Sequence, residues 1–116
     1  MKPRVLIIVT SDPRASHRPA EALRIAAGVG VWKKTEIALY LRGDAIRAAA
    51  QSVEGLVDED NYTRYWPVLT ESAPAVYVQK NAAVLAQIGE PVIPTLEISD
   101  QQLAELAAQQ SCVLRF

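Results

Sequence analysis

The residues best able to do chemistry cluster early in the chain, in the polar run Thr10-Ser11-Asp12-Pro13-Arg14-Ala15-Ser16-His17-Arg18. Thr10, Ser11 and Ser16 offer hydroxyls, Asp12 a carboxylate, and Arg14 and Arg18 offer positive charge. His17 is the only histidine. A Ser–His nucleophile pair needs an orienting acid and mutual hydrogen-bond reach, which neighbours in one loop rarely achieve. No G-x-S-x-G elbow is present to supply that geometry, so His17 reads as a surface side chain near a helix start. Taken together, the loop suits a small anion better than a reaction, because the N-terminus of the following helix points at it. It lacks the glycines of a P-loop or a dinucleotide fingerprint. The competing reading is a polar loop whose side chains cap the helix. One histidine and scattered carboxylates show no metal-ligand spacing, and no cofactor is expected.

The elements that hold this loop follow from hydrophobic pattern. Arg4-Val5-Leu6-Ile7-Ile8-Val9 is a continuous, β-branched apolar run, as in a strand buried on both faces. In parallel sheets covered by helices, ligands sit beyond the carboxyl ends of the strands. Pro19 suits a first helical turn over Pro19 to Ala27, with Ala20, Leu23 and Ala27 on one face and Val31 continuing it. Gly28 and Gly30 weaken the end of that helix and are read as allowing close helix–sheet approach. Thr35 to Leu41 is a second strand. Gly43-Asp44 closes it and caps a short helix, Ala45 to Ala50.

Gln51 to Asn61 is acidic and reads as a loop. Pro67, tolerable only in a first turn, places the next helix at about Tyr65 to Ser72. Ala75 to Gln79, after Pro74, is a third strand; Asn81 caps a helix Ala82 to Ile88, which Gly89 ends. Thr95 to Ile98 is a short extended piece. Ser99-Asp100-Gln101-Gln102 forms a capping box for a helix ending near Gln110, and Ser111 to Phe116 is a last strand. The alternation predicts one α/β domain over residues 1–116: a three-layer α/β/α fold with a mainly parallel sheet of about five strands, flavodoxin-like in general layout.

The chain has 116 residues and a formal net charge of -1, which gives no electrostatic footprint for nucleic acid or an anionic membrane. Lys33-Lys34 is too short to be a basic patch. The opening Met1-Lys2-Pro3-Arg4 leads into an apolar run of about six residues, shorter than a signal-peptide core needs. No run approaches the roughly 18 apolar residues of a membrane span. One cysteine, Cys112, rules out an internal disulfide and fits a reducing cytoplasm.

Four segments carry a resemblance. Thr10-Ser11-Asp12-Pro13, Leu41-Arg42-Gly43-Asp44-Ala45, Leu96-Glu97-Ile98-Ser99 and Ser111-Cys112-Val113-Leu114-Arg115-Phe116 are similar to the corresponding stretches of the DsrE/DsrF-like family of sulfur-relay proteins. The resemblance implies the α/β/α fold and assembly into homo-oligomers, trimers or hexamers, or with related subunits. It also implies a carrier cysteine in the loop past the third strand. Here that run is Val76-Tyr77-Val78-Gln79-Lys80-Asn81-Ala82-Ala83, and neither Gln79 nor Asn81 can be a thiolate nucleophile.

The expectation is therefore a non-catalytic subunit or binding module, with Thr10, Ser11, Asp12, Arg14, Ser16, His17, Gln79 and Asn81 lining an anion-binding cleft. Two alternatives stand beside it: a persulfide carrier using Cys112, and a flavodoxin-like nucleotide binder. Cys112 itself is expected to be a buried free thiol packed as a small hydrophobe. Trp32, Tyr62, Tyr65 and Trp66 are expected partly in subunit interfaces.

Overall fold

A computed structural model describes residues 3–31, 34–72 and 75–116. Five parallel strands, β1 (Arg4–Val9), β2 (Glu36–Leu41), β3 (Ala75–Gln79), β4 (Leu96–Ile98) and β5 (Cys112–Arg115), form one sheet in the order β4-β3-β2-β1-β5. Four α-helices connect them: α1 (Arg18–Val31), α2 (Glu59–Ser72), α3 (Ala83–Ile88) and α4 (Asp100–Ala108). A 3-10 helix, Gly43–Ala49, follows β2. The sequence pattern anticipated this α/β/α layout and its strand count.

The strand order explains which helix lies where. The chain steps from β1 to β4 in one direction and then returns past β1 to β5. Parallel crossovers share one hand, so the outward steps and the return place their helices on opposite faces. Ile7, Val9, Leu39, Leu41, Val76 and Val78 pack with Leu23 and Ala26 of α1, Ala45 to Ala49, Trp66 and Leu69 of α2, and Val84 of α3. Leu6, Ile8, Ala38, Tyr40 and Ile98 form the other face, against Leu103, Leu106 and Ala107 of α4. That second layer is thin: α4 has no buried residue.

Local corrections have physical causes. The helix around Tyr65 begins at Glu59 and carries Pro67 in its interior. An interior proline costs about 3 kcal/mol, but the same helix buries Tyr62, Trp66 and Leu69, each contributing about 1.5–3 kcal/mol. Burial wins, and Pro67 sits on the exposed side. After β2 the turn is 3-10 rather than α; its cap is Arg42 with no side-chain hydrogen bond, and Asp44 lies in the first turn instead. Asn81 does not cap α3, whose cap is Ala82; Asn81 takes a left-handed φ of 61°. Gly89, also left-handed at 70°, ends α3 as expected.

The capping box is present: Ser99 accepts from the Gln102 backbone, and the Gln102 side chain accepts from the Ser99 backbone. No close approach occurs at Gly28, where a Cβ would meet nothing within 4 Å. The expectations for Trp32, Lys33 and Pro74 lie outside the described residues, as does the packing of Gly30 and Val31. Tyr62 and Trp66 are buried within the chain rather than presented to a partner. The Trp66 indole donates to the Ala48 carbonyl at 2.8 Å; only Tyr65 of the described aromatics in this group is partly exposed.

Candidate functional site

The loop after β1 is organised by Asp12. Its Oδ1 accepts from the Arg14 backbone at 2.9 Å, and its carbonyl accepts from Ala15 and Ser16. The Arg14 guanidinium closes on the same carboxylate through Nε and Nη2, which holds the Asp12 carboxyl below its ordinary value of 3.8. Ser16 Oγ accepts from the Arg18 backbone at 3.1 Å, and the His17 carbonyl receives the Glu21 amide. Much of the loop therefore folds back on itself and on the start of α1. His17 and Thr10 are exposed.

Ser11 turns away from this knot. Its hydroxyl donates to the Phe116 carbonyl at 2.7 Å, joining the loop to the residue after β5. Arg18 reinforces the junction, donating to the Arg115 carbonyl and lying 5.7 Å from the Phe116 ring centroid, within cation–π range.

Gln79 and Asn81 also sit at the carboxyl ends of the strands, but with other partners. Gln79 Oε1 accepts from the Gly43 backbone at 3.0 Å, and the Asn81 backbone donates to Glu97 Oε1 at 3.1 Å. Nearby, Arg42 reaches Tyr40 Oη at 3.0 Å and Asp100 Oδ1 at 2.7 Å; the hydrogen bond keeps the Asp100 carboxyl below the usual range. The expected residues thus share one end of the sheet without converging on a single point.

A cleft of about 650 Å³ lies at this end, with Arg14, Arg47, Gln51, Glu54, Leu56 and Gln87 among its walls. Arg14 Nη2 lies 3.5 Å from Asp44 Oδ1, and Arg47 Nε meets the same oxygen at 3.1 Å. Arg47 Nη2 also donates to Gln87 Oε1 at 2.5 Å. Arg47, Asp44 and Gln87 had no place in the expected lining. The spacing of Asp44 and Arg47 hinted at a local ion pair, but only the fold brings Arg14 and Gln87 to it.

Cys112 overturns its expected burial: the thiol is exposed. Among the described residues β5 pairs only with β1, as an edge strand, and Cys112 is in register with Val5. That places it toward the amino-terminal end of the sheet, about 13 Å along the strand direction from Val9. Among the described residues no group of three or more His, Cys, Asp or Glu is placed to hold a metal, and no helix is long and apolar enough to cross a membrane.

With its parallel five-stranded sheet and helices on both faces, the chain has an α/β/α fold. A crystal structure of the ychN protein from E. coli is similar to it over 100% of both chains, with a TM-score of 0.80 and 19% sequence identity; identity that low speaks for the fold alone. No family model matches the sequence, and no curated protein matches it by sequence.

Proposed function

We propose that this protein is a cytoplasmic subunit related to DsrE/DsrF-like sulfur-relay proteins that works by assembly and by holding a small anionic ligand, without carrying sulfur itself. One observation carries the reading. The cleft lies at the carboxyl ends of the strands, the end at which Gln79 closes β3, whereas the single thiol lies toward the opposite end of the sheet on an edge strand. A thiolate there cannot serve a ligand in that cleft without leaving its strand.

Assembly is favoured by the thin face. On that face Leu96 and Val113 are 63% and 39% exposed, and α4 leaves Leu103 and Leu106 only partly covered; on the other face of the edge strand β5, Leu114 is 36% exposed. Apolar side chains and open strand edges of this kind are commonly covered by a neighbouring subunit. Native mass spectrometry at micromolar concentration tests this, with trimers or hexamers expected and a monomer contradicting it. The exposure of Cys112 favours a second reading, a persulfide carrier whose site is the β5 edge.

A further inference from the structure

From the walls of the carboxyl-end cleft we infer that its ligand is a small monocarboxylate with an apolar tail, gripped by Arg14 and Arg47. The inference rests on the binding reading above and names its ligand class. Arg14 is clamped by Asp12 through Nε and Nη2, and Arg47 by Asp44 through Nε and by Gln87 through Nη2. Among the described residues, neither Nη1 amino group meets an acceptor. Both side chains line the cleft, so two guanidiniums are held in fixed orientations with donors to spare. A planar carboxylate matches such donors well.

Charge decides against a phosphate. Asp12 and Asp44 already offset Arg14 and Arg47, and Glu54 stands in the same wall. A dianion would enter a region with no excess positive charge, whereas a monocarboxylate satisfies the spare N–H groups with less repulsion. The rest of the wall mixes Gln51, Ser52 and Gln87 with Ala50, Leu56 and Ile88, and these last three would cover a short hydrocarbon tail. The volume of about 650 Å³ lies within the range of small-molecule sites.

The test is a titration of the ¹⁵N-labelled full chain, followed by NMR, with sodium hexanoate, sodium acetate and inorganic phosphate. Saturable shifts at Arg14, Arg47 and Leu56 are expected with hexanoate, weaker binding with acetate, and none with phosphate. Arg14 is half-exposed, so Arg14→Gln should fold normally and weaken hexanoate by about tenfold or more. Glu54→Gln should tighten hexanoate. Hexanoate shifts that do not saturate, that survive Arg14→Gln unchanged, or that phosphate reproduces in the unaltered protein overturn the inference. Such failure leaves the assembly reading intact, since subunit mass reports that separately.

Discussion

Gln79 Oε1 accepts the Gly43 backbone N–H at 3.0 Å, so the residue that ends β3 ties that strand to the turn after β2. The side chain is engaged in joining the end of one strand to the turn after its neighbour. Replacing it tests that role. Gln79→Leu removes the acceptor and leaves a partly buried amide unpaired, at a cost of about 1–3 kcal/mol. Urea unfolding should show this loss; an unchanged midpoint would mean the contact is dispensable.

Tyr62 has the opposite problem. Its hydroxyl is buried and meets no hydrogen-bond partner among the described residues, and burial pushes its pKa up. Tyr62→Phe removes an unsatisfied group and retains the ring, so thermal unfolding should show equal or greater stability, by up to about 1 kcal/mol. Clear destabilisation would reveal a hidden partner for the hydroxyl.

The α4 cap contributes to the thin face. Ser99→Ala removes one side of the capping box and should lower stability by about 1 kcal/mol. Ser99→Asp should preserve most of it. Equal loss in both variants would show that the cap itself is not what matters.

Acid should weaken the protein through its paired carboxylates. Asp12 and Asp100 titrate below their ordinary 3.8 because Arg14 and Arg42 hydrogen-bond to them; Glu21 likewise titrates below its 4.5, through Arg24. A depressed pKa in the folded state stabilises above the unfolded value and is lost as pH falls through the folded one. Stability should therefore be level above about pH 5 and fall below about pH 4. These pairs are exposed and screened, so the effect should be modest. Urea midpoints across that range should show a flatter acid limb in Asp12→Asn/Asp100→Asn; identical limbs would contradict the assignment.

The fold was legible because Arg4–Val9 and Ala75–Gln79 are apolar runs bounded by turn residues, and because Ser99 and Gln102 mark a helix start. The site was less legible. The meeting of Arg14, Asp44, Arg47 and Gln87 depends on how the loop after β1, the 3-10 helix after β2 and α3 come together at the sheet's end, which no local spacing encodes. Cys112 misled for a related reason: an apolar alternation marks a strand, but not whether that strand is central or at an edge. α2 was shortened in expectation because the proline penalty is local, while the burial that outweighs it comes from tertiary packing.

The proposed function requires that this protein does not carry sulfur. Incubation with a cysteine desulfurase and labelled cysteine, followed by intact-mass measurement with and without reductant, tests it most directly. No stoichiometric, reductant-sensitive mass gain is expected on the native protein, although the exposed Cys112 should react readily with an aromatic disulfide probe. A stoichiometric gain that reductant removes, and that disappears in Cys112→Ser, would contradict the account and establish Cys112 as the carrier.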